Sequence, residues 1–134
     1  MGYTQYWTQK RDFTDDEWNK LCAFFKDMHK ITPLFGYDGT GDPEVDSEYI
    51  IFNGDESKGE NHETMSLCKY NIGGDFCKTR RKPYDTCVVA ILIAANFYAP
   101  GIYNLGSDGD AEDWTEGEEL FKSITGVKRK YIRS

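Results

Sequence analysis

The chain has 134 residues, enough for one hydrophobic core, and its 39% apolar and 15% aromatic residues exclude the composition of a disordered protein. Its 16 Lys and Arg against 23 Asp and Glu give a net charge of -7, which argues against non-specific binding to nucleic acid or to anionic membranes. We therefore expect no membrane partner and no sequence-specific binding to nucleic acid.

The spacing of apolar residues predicts an α+β domain. In chain order it indicates a strand at 3–10, a helix from 15 to about 32, strands at 34–37, 49–52, 62–69 and 76–79, a helix at 84–98, a strand at 102–105 and a helix at 114–124. Strands and helices do not alternate strictly, so we expect a small antiparallel or mixed sheet packed against about three helices. The single domain should span residues 1–126, followed by a basic tail at 127–134.

Two of the predicted helices have clear start signals. Thr14 and Glu17 match a capping box, and Phe13 and Trp18 are placed as a hydrophobic staple around it. Pro83 suits the first turn of the second helix, since a proline there has no N–H to leave unpaired. These signals place both helix starts within a residue or two.

The four cysteines indicate a reducing compartment. Cys22, Cys68, Cys77 and Cys87 form no C-x-x-C pair, and a domain with a full core does not need disulfide bonds. Residues 1–7 show no basic region followed by an apolar run, which is the pattern of a secretory signal. We expect reduced thiols, a cytoplasmic protein, and neither a bound metal nor a cofactor.

Several stretches carry a resemblance to a known family. They are GYTQYW at 2–7, GYDGTGDPE at 36–44, IFNGD at 51–55, HET at 62–64, FCKTRRKPYD at 76–85, and DGD at 108–110 followed by DW at 113–114. By these stretches, which cover most of the chain, the protein resembles a family of small proteins of unassigned function in bacterial and phage genomes. The resemblance implies a bacterial or phage cytosolic setting and assigns no catalytic roles.

A strongly basic run lies directly before the second predicted helix. It contains Lys78, Arg80, Arg81 and Lys82. Guanidinium and ammonium groups beside the electropositive start of a helix favour a phosphate or a carboxylate. His62 would add a hydrogen bond, and Tyr84 would offer a stacking face for a base. The alternative is a solvated loop whose cations neutralise nearby acids.

His62 and Asp85 are the candidate bases if the protein is an enzyme. A histidine has a pKa suited to proton transfer near neutrality. However, two-histidine phosphodiesterases need a second H-x-T motif, and the only other histidine, His29, stands at the end of the first helix. A strand at 62–69 would also place His62 and Glu63 on opposite faces. The sequence names no pair of nucleophile and base.

Three functional hypotheses follow. The first is a binder of a phosphorylated or nucleotide-like small ligand, which in a phage setting would sequester a host signalling nucleotide. The second is an inhibitor of a host defence enzyme, because residues 38–60 hold eight acids against Lys58 and would cover a basic protein surface. The third is a small phosphoester hydrolase, which we rank last.

Overall fold

The first helix begins where the capping box predicts. The computed structural model describes residues 3–127, and helix α1 spans Asp15–Ile31. The Thr14 hydroxyl accepts from the Glu17 N–H at 3.2 Å, and the Glu17 carboxylate accepts from the Thr14 N–H at 2.9 Å. The Phe13 and Trp18 rings lie 5.2 Å apart as the predicted staple. The predicted basic tail lies outside the described residues, apart from Val127.

The second helix is the centre of the core. Helix α2 (Asp85–Tyr98) is buried at every position from Cys87 to Ala95, because its apolar residues surround the helix axis on all sides. Helix α3 (Thr115–Thr125) packs closely on it. A Cβ on Gly117 would lie 2.4 Å from Val89 Cγ1, so only glycine permits this approach. None of the helices in the described part of the chain combines the length and apolarity needed to cross a membrane.

The strands form two separate antiparallel sheets. They are β1 (Thr4–Gln9), β2 (Glu44–Val45), β3 (Tyr49–Phe52), β4 (Met65–Cys68), β5 (Gly74–Lys78) and β6 (Tyr103–Ser107). One sheet has the order β5-β1-β6 and the other β2-β3-β4. The predicted α+β class, the three helices and the single domain are therefore confirmed, with two small sheets where one was expected.

Two predicted strands are shorter than expected. The strand predicted at 62–69 begins only at Met65, so His62 lies in the preceding loop. Asn53 is the cause, because its amide group accepts from the His62 N–H at 3.1 Å and donates to the His62 carbonyl at 3.0 Å, in place of ladder bonds. The strand predicted at 34–37 is reduced to one bridge between Phe35 and Asn53.

Candidate functional site

The basic run forms a tight turn with an unusual backbone. The N–H of Lys82 donates to the carbonyl of Thr79 at 3.0 Å, and the two residues between them, Arg80 and Arg81, have φ angles of 51° and 59°. Positive φ at both central positions is the pattern of a type I′ turn, which normally contains glycine, asparagine or aspartate. Holding each arginine in this backbone conformation costs about 1 to 3 kcal/mol of folding free energy, so contacts with the surrounding structure must stabilise the turn.

A buried polar network anchors the turn. The Thr79 side chain is buried, its N–H donates to the carbonyl of Tyr3 at 2.9 Å, and its hydroxyl donates to the Asp85 carboxylate at 2.7 Å. The amide of Gln5 donates to the same carboxylate oxygen at 3.0 Å. Burial raises the pKa of Asp85, and these two hydrogen bonds oppose that rise. Asp85 therefore ties the turn to β1 and to the start of α2.

The turn directs Arg81 into an acidic cleft. Nη1 of Arg81 donates to the Asp113 carboxylate at 3.1 Å, and its guanidinium carbon lies 3.9 Å from the centroid of the Tyr3 ring. The cleft has a volume of about 390 Å³, and its further acidic lining residues are Asp85, Glu112 and Glu116. The first residues of α2 also line this cleft. Arg81 and Lys82 of the basic run therefore lie beside the first residues of α2, and four acidic side chains share that cleft with them.

The other cations of the basic run, Lys78, Arg80 and Lys82, lie near His62. Lys78 and Arg80 are exposed, and no carboxylate of residues 3–127 forms an ion pair with either one. The Lys82 ammonium donates to the carbonyl of Gly59 at 3.0 Å. Burial lowers the pKa of His62, and the charges of Arg80, Lys78 and Lys82 lower it further. We call these four residues, His62, Lys78, Arg80 and Lys82, the basic cluster.

Hydrogen bonds on both sides fix the loop that carries His62. The N–H of Glu63 donates to the carbonyl of Lys78 at 3.2 Å, and the N–H of Lys78 donates to the Glu63 carboxylate at 2.7 Å. Asn53 holds the backbone of His62 from the opposite side. The histidine is thus placed against the cations by contacts between segments distant in sequence. Neither Glu63 nor Asn53 has a local sequence signal that would identify it.

Tyr84 supports this loop from inside. Its side chain is 2% exposed, and its hydroxyl donates to the carbonyl of Glu63. Burial is the main cause of its strongly raised pKa. The ring is therefore part of the core beneath the loop, whereas a stacking face for a ligand would have to be open to solvent.

The two candidate bases lie in different surroundings. The charged neighbours of His62 are Glu63 and the three cations of the basic cluster. Asp85 instead hydrogen-bonds Gln5 and Thr79 and faces Arg81 and Asp113. The fold therefore does not assemble His62 and Asp85 into one acid-base pair.

The described residues hold no group of three or more metal-ligating side chains. All four cysteines are free thiols, with Cys68, Cys77 and Cys87 buried. Burial raises the pKa of Cys77 and of Cys87 to about 12, so both thiols stay protonated near neutral pH. Among residues 3–127, therefore, no metal-binding group is found, and Cys77 and Cys87 do not supply a thiolate nucleophile.

Comparison with models of protein families gives no match, and searches of curated proteins and of solved structures give none either. The resemblance to small bacterial and phage proteins therefore stays a prediction from the sequence stretches that carry it. Arguments about function rest on the geometry of the site.

Proposed function

We propose that the protein binds a phosphorylated or nucleotide-like small molecule through the basic cluster. The observation that carries the proposal is that Arg80, Lys78 and Lys82 all lie close enough to His62 to lower its pKa, while the side chains of Lys78 and Arg80 form no ion pair among residues 3–127. Like charges held together repel one another, and an anion with several oxygens would relieve this repulsion. Arg80 supplies a planar pair of donors suited to a phosphate, and Lys78 supplies a flexible charge.

The strained turn supports the same proposal. Backbone strain at residues other than glycine is concentrated at ligand-binding sites, where a fixed geometry is required. Here both arginines of the turn have a positive φ, and their side chains have different surroundings. Arg81 pairs with Asp113, whereas Arg80 is exposed. In a bacterial or phage cytosol, such a site would serve to sequester a host signalling nucleotide.

Calorimetric titration at low salt tests the proposal, with inorganic phosphate and a panel of nucleotides as probes. Arg80→Ala should weaken binding by about tenfold or more, because a hydrogen bond between charged groups contributes about 1.5 to 3 kcal/mol. Lys20→Ala is the matched control, since Lys20 is an exposed cation on α1 that pairs with Asp16. Equal affinity of the Arg80→Ala variant and the parent protein would overturn the proposal.

A second candidate function rests on the acidic segment 38–60. Among residues 3–127, none of its eight carboxylates takes part in an ion pair, and most of them are exposed. Such a surface complements a basic patch on a partner protein. A triple substitution, Asp42→Asn with Glu44→Gln and Glu48→Gln, should weaken capture of that partner, and capture that is undiminished at high salt would exclude this mechanism.

A further inference from the structure

An aromatic pair lies on the open face of the β5-β1-β6 sheet. Tyr6 of β1 and Phe76 of β5 are directly paired in the strand register, and their ring centroids lie 6.4 Å apart. Tyr6 is 44% exposed and Phe76 is 53% exposed. Most aromatic side chains of the protein are buried in the core, whereas these two are about half exposed and present their π faces to solvent.

The neighbouring positions leave this pair uncovered. Gly106 of β6 lies opposite Tyr6 in the register, and even a Cβ there would only just touch Tyr6, at 3.6 Å from the Tyr6 Cβ. Gly74 of β5 is exposed and lies opposite Thr8. Gly106, Gly74 and Thr8 thus leave the ring faces open, while at the edge of the pair the Tyr6 hydroxyl donates to the Asp108 carboxylate at 3.4 Å and Asn104 lies opposite Thr8.

The aromatic pair adjoins the basic cluster. Lys78 lies two residues beyond Phe76 on β5, so both side chains point to the same face, with their Cα atoms about 7 Å apart. Arg80 and Arg81 continue the chain from Lys78 into the strained turn. The sheet face therefore leads from the exposed rings to Lys78 and on to Arg80, neither of which has an ion-pair partner in the described chain.

We propose that the ligand of the basic cluster is a nucleotide whose base stacks on Tyr6 and Phe76 while its phosphate binds Lys78 and Arg80. This inference rests on the proposed function and adds the part of the ligand that the cations cannot recognise. The rings and the adjacent positive charge complement the two ends of one nucleotide. Because every base has a π face, stacking of this kind selects nucleotides as a class and tolerates different bases.

A pair of ligands that differ only in the base tests the proposal. AMP and ribose 5-phosphate carry the same phosphate, and only AMP can stack. AMP should bind between about 5-fold and 150-fold more tightly, which is the range for loss of one stacked base. Upfield shifts of the adenine protons in NMR spectra should accompany binding, as ring currents from stacked aromatics produce them.

Variants separate this inference from the proposed function. Phe76→Leu keeps an apolar side chain on the strand but removes the π face, so it should lower AMP affinity toward that of ribose 5-phosphate and leave ribose 5-phosphate binding unchanged. Arg80→Ala should weaken both ligands. Tyr37→Ala is the matched control, because Tyr37 is 61% exposed but lies outside this sheet.

Each outcome has a defined meaning. Equal affinity for AMP and ribose 5-phosphate, with both sensitive to Arg80→Ala, would overturn the stacking inference and leave the anion site standing. AMP binding that is unaffected by Phe76→Leu would also overturn it. Failure of both ligands to bind at millimolar concentration would overturn the proposed function together with this inference.

Discussion

Glu63 and Lys78 hold each other by two hydrogen bonds, one in each direction. The N–H of Glu63 donates to the carbonyl of Lys78 at 3.2 Å, and the N–H of Lys78 donates to the Glu63 carboxylate at 2.7 Å. This connection attaches the loop that carries His62 to the end of β5. The Glu63 carboxylate thus helps to position the basic cluster, because it accepts a hydrogen bond from the backbone N–H of Lys78.

Substitutions of Glu63 therefore distinguish its role in positioning the His62 loop from the electrostatic effect of its negative charge on anion binding. Simple electrostatics predicts that removal of a carboxylate near cations strengthens anion binding. We predict that Glu63→Ala instead weakens phosphate binding, because the His62 loop keeps only the backbone hydrogen bond to Lys78 and loses the one that the Glu63 carboxylate accepts. Glu63→Gln keeps an oxygen acceptor without the charge and should bind phosphate at least as tightly as the parent. Calorimetric titration of the two variants with phosphate measures these affinities. Tighter phosphate binding by Glu63→Ala than by the parent protein would contradict the positional role of Glu63.

Arg80 should show opposite effects on stability and binding. Its φ of 51° is unfavourable for any side chain with a Cβ, and glycine adopts it freely. Arg80→Gly should therefore be more stable than Arg80→Ala by about 1 kcal/mol, while both variants lose the affinity for phosphate. Urea denaturation and calorimetry measure the two quantities. A glycine variant less stable than the alanine variant would show that the turn is not strained.

The capping box of α1 predicts a specific acid sensitivity. Hydrogen bonds from Arg11 lower the pKa of Glu17 from 4.5 to about 2, with a further contribution from Thr14 and against the opposing effect of burial. A depressed carboxyl pKa contributes stability above the unfolded value, and this contribution is lost as the pH falls from about 4.5 to about 2.

The variant Glu17→Gln should lower the free energy of unfolding at neutral pH by about 1 to 2 kcal/mol and flatten its dependence on pH in the acid range. Asp16→Asn is the control, since Asp16 takes part only in an exposed pair with Lys20, which contributes little. Denaturation curves measured at several pH values test this. Parallel pH profiles for the Glu17→Gln variant and the parent would contradict the assignment.

Local patterns in the sequence were sufficient to predict the helices. The capping box at Thr14 and Glu17 acts within four residues, and the apolar run after Pro83 is too long for a strand, so neither depends on the rest of the chain. The α+β class followed from these elements. The division of the strands into two sheets did not, because pairing between distant strands leaves no mark on local periodicity.

The candidate site was predicted in composition but not in arrangement. Arg80 and Arg81 are adjacent, chemically identical and similar in φ, and only the partner Asp113, which lies 32 residues away, assigns them different roles. Tyr84 reads as an exposed aromatic after a basic run, yet the fold places it in the core. The exposed pair of Tyr6 and Phe76 depends on strand register, which alternation within either strand alone does not specify.

The titration of His62 tests the anion site most directly. Two histidines are present in the chain, and NMR resolves the ring protons of both. In the absence of ligand, the pKa of His62 should lie below its ordinary 6.5, because burial and the charge of Arg80 disfavour the imidazolium. A bound phosphate neutralises these cations and should raise the pKa of His62. At a fixed pH, the ring-proton chemical shifts of His29, whose Nδ1 accepts from the Leu34 N–H at 3.0 Å, should not change when phosphate is added. An unchanged His62 titration at saturating phosphate would contradict the site.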